Sequence, residues 1–118
     1  MDTRVSIGAL GELAAERWYV GRGYRVIARN WRCRIGELDL VLGRGPLLVV
    51  CEVKARRGSR FGGGWAAVDA RKRAKIRAVA EVFLAGSRLD PGSVRFDVAS
   101  VEVRAGGSAA VEVFQDAF

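Results

Sequence analysis

The residues best placed to do chemistry lie in two short runs, Gly36-Glu37-Leu38-Asp39 and Glu52-Val53-Lys54, with Glu52 thirteen positions after Asp39. Gly43-Arg44-Gly45-Pro46 separates two apolar or alternating stretches, so the runs read as the arms of a hairpin. If that hairpin turns symmetrically about Gly45-Pro46, opposed residues have numbers summing to 91, and Asp39 faces Glu52 while Glu37 faces Lys54. Residues two apart on a strand share a face, so these four project together. The other face is apolar, with Leu38, Leu40 and Leu42 against Val49, Cys51 and Val53. Like charges opposed in such a ladder destabilise it by about 0.2–1 kcal/mol. A divalent cation would compensate. The carboxylates of Asp39 and Glu52 with the carbonyl of Val53 make a hard-oxygen set of the kind Mg²⁺ or Mn²⁺ accepts while keeping several waters. Lys54, one pleat along, would stabilise charge on an attacking water or a phosphate. The same residues also read as two solvated strand-edge acids with a Glu37–Lys54 cross-strand pair, since one residue more or less in the turn breaks the register.

Composition narrows the chemistry. The 118 residues contain no histidine, which excludes Ser-His-Asp and Cys-His catalysis, two-histidine zinc sites and any imidazole base. What remains runs on carboxylates, lysine and oxygen-liking metals. Twenty Lys plus Arg against thirteen Asp plus Glu give a formal charge of +7, and seventeen of the twenty are Arg. That balance favours polyanions, chiefly nucleic acid, although high Arg, Ala and Gly with little Lys also arises from codon bias alone. Cys33 and Cys51 form no Cys-x-x-Cys, so neither a disulfide framework nor a zinc knuckle is expected. Pro46 to Cys51 is the longest apolar stretch, too short to span a membrane. With no secretory pattern at the start, the expectation is a cytoplasmic protein without membrane contact.

The elements that must position these groups are legible in outline. Ser6 precedes a helix from Ile7 to about Val20, with Leu10, Leu13 and Ala14 on one face and Gly21 and Gly23 after its end. A first strand runs from Tyr24 to Trp31, followed by the hairpin arms Glu37–Leu42 and Leu47–Lys54. Arg56 to Gly64 is Gly-rich and basic and reads as a loop. A second helix starts near Asp69, carries Ile76, Val79, Ala80, Phe83 and Leu84 at amphipathic spacing, and ends at Gly86. Val94–Val103 alternates as a strand, with a last short strand at Ala110–Phe114. The length suits one domain over 1–118, an α/β fold of order αβββαβ with a mixed sheet flanked by helices.

Asp followed about a dozen residues later by Glu-x-Lys resembles the restriction-endonuclease-like PD-(D/E)XK nucleases. The whole chain is similar to the YraN-type bacterial proteins, a family placed in that superfamily and similar to archaeal Holliday-junction resolvases. The likeness runs through Gly11-Glu12, Arg29-Asn30-Trp31-Arg32, Gly36 to Val41, Glu52 to Arg56, Phe61-Gly62, Lys72, Lys75, Arg95-Phe96-Asp97-Val98 and Asp116-Ala117-Phe118. Gly64 stands where that family is expected to have proline. The resemblance implies that Asp39 and Glu52 bind metal, that Lys54 is catalytic, and that Glu12 is a further carboxylate near the metal; it also implies dimerisation, since resolvase-like relatives are dimeric. On the residues alone, Glu12 and Glu16 read as solvated helix acids; Asp97 reads either as a further catalytic acid or, the plainer reading, as a capping or hydrogen-bonding strand residue.

A basic rim is expected around the acids from Arg56, Arg57, Arg60, Arg71, Lys72, Arg73 and Lys75. Four of these crowd the start of the second helix, where the dipole disfavours cations and a bound phosphate would reverse the cost; a solvated basic face is the plainer reading. Trp31, Phe61 and Trp65 would stack on bases or fill the core. The expectation is a Mg²⁺-dependent nuclease acting on DNA, including branched or structured DNA. The competing class is a nucleic-acid-binding module of the same fold without cleavage, and a third is a basic scaffold docking on an acidic partner.

Overall fold

The computed structural model describes residues 6–58 and 68–118. Helix α1 (Ile7–Val20) is followed by strands β1 (Arg25–Cys33), β2 (Gly36–Arg44) and β3 (Leu47–Arg57), helix α2 (Ala70–Ala85), and strands β4 (Ser93–Val103) and β5 (Ala109–Phe114). The strands form one sheet in the order β1-β2-β3-β4-β5. All neighbours are antiparallel except β3 and β4, a parallel pair that requires a crossover, which α2 supplies. This is the expected mixed sheet flanked by helices, with β5 as the last short strand. No helix is long and apolar enough to cross a membrane among the described residues.

Local chemistry sets the helix ends as expected. The Ser6 hydroxyl accepts a hydrogen bond from the Ala9 N–H at 3.0 Å, and the Asp69 carboxylate accepts from Lys72 N–H at 2.9 Å, each satisfying a donor that a helix start leaves orphaned. The β2–β3 hairpin pairs Arg44 with Leu47 and Leu40 with Cys51, the register that a symmetric turn about Gly45-Pro46 predicts. Gly45 has φ +56°, a left-handed conformation that suits glycine.

Each face of the sheet carries its own core. On the α1 side Ala15 and Tyr19 pack with Leu40, Leu42, Val49, Cys51, Ala99 and Val101. On the α2 side Ile76, Val79, Ala80 and Phe83 cover Leu38, Val41, Leu48, Val50, Phe96 and Val98. Two expectations need correction. Leu13 is 43% exposed, and α1 instead buries Gly11, Ala15 and Tyr19, because close approach to the sheet favours the face with the small residues. Nor do Leu38, Leu40 and Leu42 share a face: Leu38 lies in the core beneath α2 and the other two in the core beneath α1. The alternation slips by one at Asp39, opposite Asn30, whose φ of +48° marks the same kink in β1. Trp31, just past the kink, meets Phe83 edge-on at 5.2 Å, so it is a core residue. Phe61 and Trp65 lie outside the described residues.

The α1-side core encloses one charge. Asp97 is fully buried and accepts from Tyr19 Oη at 2.6 Å, from Arg95 Nε and Nη2 at 2.8 and 2.9 Å, and from the Asp116 N–H at 3.0 Å. A buried carboxylate is tolerable only when its lone pairs are so occupied. The network ties α1, β4 and the C-terminal turn together, which assigns Asp97 the hydrogen-bonding role read from its sequence context.

Helix α1 approaches β3 so closely that a Cβ built on Gly11 would stand 2.5 Å from Ala55 Cβ. Gly11→Ala should therefore destabilise the protein by about 1–3 kcal/mol of overpacking, despite the better helix propensity of Ala. Urea unfolding of Gly11→Ala, Ala55→Gly and the double variant tests this, with a favourable coupling of about 1 kcal/mol expected in the cycle. Strict additivity would mean that the contact imposes no strain.

Candidate active site at the end of the β2–β3 ladder

Backbone pairing between β2 and β3 ends at Leu40 and Cys51. Beyond it β2 stays with β1 while β3 stays with β4, the parallel register continuing from Glu52↔Val98 to Arg57↔Val103. In the gap, Asp39 Oδ2 accepts the Val53 N–H at 2.8 Å, so a side-chain carboxylate takes the place of a ladder carbonyl. A strand residue carries its N–H and C=O on the same edge, and the Val53 carbonyl therefore shares the edge that faces this gap.

Strand alternation sends Glu52, Lys54 and Arg56 toward α2, and Val53 and Ala55 toward α1. Glu52 is buried, and its Oε1 lies 3.2 Å from Lys72 Nζ. Burial first, and the nearby charge of Asp39 second, push its carboxyl up to about 7, while Lys72 and Lys54 pull the other way. Lys54 is lowered from the ordinary lysine value, first by burial and then by contact with Lys72. Lys72 is correspondingly raised, through its contact with Lys54 and through Glu52 and Asp39.

On the α1 side Glu12 completes the group. Its Oε1 accepts from Asn30 Nδ2 at 3.2 Å, in a cleft of about 320 Å³ lined by Ala9, Glu12, Glu16, Arg29, Asn30 and Asp39. Burial raises the Glu12 carboxyl, the Asn30 hydrogen bond opposes this, and the charges of Asp39 and Glu37 add to the rise. Glu16 pairs with Arg29 at 2.6 Å at the cleft wall.

The structure thus gathers Glu12, Asp39, Glu52, Lys54 and Lys72 around the gap. It does not bring Glu37 to Lys54. Because β2 leaves β3 after Leu40, Glu37 is held opposite Arg32 of β1 and makes an exposed ion pair with it at 3.0 Å. Of the expected basic rim, Arg56 lies on the Glu52–Lys54 face and Arg71 and Lys75 are exposed on α2, with Lys75 against Gly36. Alternation puts Arg57 on the opposite face. Arg73 turns to the chain end, its Nε donating to the Val68 carbonyl at 2.7 Å and its guanidinium 5.9 Å from the Phe118 ring. Arg60 lies outside the described residues. Asn30 was not among the candidate residues; its asparagine side chain at a position needing positive φ is the signal that could have found it.

The model of "Uncharacterised protein family UPF0102" matches residues 11–101, a span containing all five residues at the gap. The chain belongs to the UPF0102 family. A UPF0102 protein of Frankia alni is 47% identical over the whole of this chain and 98% of its own length. Those of Symbiobacterium thermophilum and Ectopseudomonas mendocina are 42% and 41% identical, covering 95% and 100% of this chain and 95% and 98% of their own lengths.

The position of Glu52 gives this UPF0102 chain a defined pH response. Its folded pKa of about 7 lies above the ordinary 4.5, so between those values the folded state holds a proton that the unfolded state has released. Stability in metal-free buffer then falls as pH rises through that window. Relative to Glu52→Gln, which does not titrate, the wild type should lose on the order of 2–3 kcal/mol between pH 4 and pH 8. Urea unfolding of both proteins in EDTA measures it; a pH-independent difference would show that Glu52 ionises in the fold without penalty.

Proposed function

We propose that this protein is a divalent-metal-dependent nuclease of the PD-(D/E)XK type that hydrolyses phosphodiester bonds in DNA, branched or structured DNA included. The observation that carries the reading is the meeting of Asp39 and Glu52 where the ladder opens, with Lys54 beside them on the Glu52 face. A buried carboxylate whose ionisation a neighbouring acid makes costlier is a poor structural choice and a good hard-cation ligand. Among the described residues no group of three or more Asp, Glu, Cys or His is placed to hold a metal ion; Mg²⁺ asks for less, one or two carboxylates with phosphate and water completing its shell.

Asp39 and Glu52 would hold the metal, with the Val53 carbonyl on the same edge. Bound there, the cation supplies Lewis-acid charge to a phosphate oxygen. Asp39 keeps its orientation because Val53 N–H anchors one oxygen. Lys54, partly desolvated and lowered in pKa, passes a proton at Nζ more readily than a solvated lysine and places positive charge beside a phosphate. Glu12, oriented by Asn30, offers a carboxylate on the opposite side of the gap to orient a water. Arg56 on the Glu52–Lys54 face and the exposed Arg71 and Lys75 of α2 would bind backbone phosphates without reading sequence.

Purified protein incubated with linear, nicked, flapped and four-way DNA and with RNA, in Mg²⁺, Mn²⁺ or EDTA, tests the reading. Metal-dependent cleavage is expected, with Asp39→Asn, Glu52→Gln and Lys54→Ala each lowering it by at least about a hundredfold while binding persists. Replacing Arg56, Arg71 and Lys75 with Ala should flatten the salt dependence of duplex binding by about 0.9 in log–log slope per lost phosphate contact. Inactivity on the whole panel with either metal, with binding retained, would leave a nucleic-acid-binding module in place of the enzyme.

A further inference from the structure

The Lys72–Glu52 contact joins α2 to β3 across the α2-side face of the sheet. A carboxylate as buried as Glu52 needs a cation beside it, and Lys72 Nζ at 3.2 Å is that cation in the metal-free chain. The placement is awkward for the lysine. It stands in the first turn of α2, where the helix dipole disfavours positive charge, and its charge in turn disfavours that of Lys54, two positions along the strand from Glu52. A divalent cation on Glu52 would add two charges to this pair of lysines, and one of them has to yield. Lys54 rises from the sheet itself, whereas the Lys72 side chain is 39% exposed on a four-carbon stem with water beside it.

We propose that Lys72 is the internal counter-ion of the metal site: its ammonium neutralises Glu52 in the resting chain, and a divalent cation binds by displacing it. The inference rests on the reading of Asp39 and Glu52 as metal ligands. Lys72 thereby sets the metal affinity below that of the bare carboxylate pair. Once displaced, its charge stands at the edge of the site, where an incoming phosphate replaces Glu52 as its partner. Metal loading then arms the site for an anionic substrate.

Titration of purified protein with Mn²⁺, without nucleic acid and read by calorimetry or by the free Mn²⁺ paramagnetic signal, tests this independently of cleavage. Lys72→Met should bind Mn²⁺ about tenfold more tightly than wild type, because a competing like charge within a few ångströms has been removed. Lys75→Met, the same charge loss one helical turn on, should change the affinity far less, since exposed charges are screened. In the unmutated protein the Lys72 Cε resonance should shift on saturation with Mg²⁺ while that of Lys75 stays, which decides the matter even if Lys72→Met folds poorly. Equal Mn²⁺ affinities of wild type and Lys72→Met, or a Lys72 resonance indifferent to Mg²⁺, would overturn the counter-ion role and leave the nuclease reading intact. If neither protein binds metal, the metal site itself falls and this inference with it.

Discussion

Past Leu40 and Cys51 a β-sheet would ordinarily continue its ladder, and here it does not: the Val53 N–H receives a carboxylate oxygen from Asp39 in place of a backbone carbonyl. The exchange solves two problems at once. It satisfies a backbone donor that the opening would leave stranded, and it fixes an acid where β2 and β3 part. Both strands keep their outer neighbours, so the opening is a notch with firm walls, and side chains from both faces reach it. The kink at Asn30 and Asp39 belongs to the same event. By slipping the alternation it turns Leu38 and Trp31 into the core beneath α2 and aligns the Asn30 amide with Glu12.

The notch holds its shape because each helix is anchored close by. Gly11 lets α1 rest against Ala55 of β3, which brings the next residue, Glu12, to the gap. Farther along the same helix face, Tyr19 donates to buried Asp97, and Arg95 and the Asp116 N–H take up the remaining lone pairs. Removing one partner of such a network leaves a buried charge short of a hydrogen bond, a larger cost than losing one surface contact. Helix α2 is held through Ile76, Val79, Ala80 and Phe83, and its capped first turn presents Lys72 to Glu52. Apolar burial thus supplies the firmness, and the polar groups at the gap are positioned by elements whose stability lies elsewhere.

The electrostatics run against the overall balance of the chain. A protein of net charge +7 sets Glu12 and Glu52 each within the field of Asp39 at this notch. Burial and the charge of Asp39 raise Glu12 and Glu52; Lys72 and Lys54 offset part of the rise at Glu52, and Asn30 part of that at Glu12. On the proposed reading a bound cation would relieve this cost, and Arg56 and Arg71 would help draw a polyanion toward it.

Much of this was legible in the sequence because it depends on short-range rules. Ser6 and Asp69 cap helices through bonds spanning three residues, and Gly45-Pro46 sets the hairpin register by turn geometry, which makes Asp39 and Glu52 neighbours at the end of that ladder. The Ile76–Phe83 stripe follows from helical periodicity. The rest waited on contacts between elements distant in the chain. Whether β2 follows β3 or β1 after Leu40 is a contest between two ladders, and β1 prevails, giving Glu37 to Arg32 in place of Lys54. The slip at Asn30 depends on the strand opposite. Arg57 and Arg73 face away from the acids for reasons of strand parity and of the docked C-terminal turn. Lys72 reaches Glu52 only because the parallel β3–α2–β4 crossover lays α2 across that face. Residue types and spacings therefore specified which groups could do chemistry, and the packing of sheet and helices decided which of them meet, since side-chain proximity between elements is set by a shared core that no local rule contains.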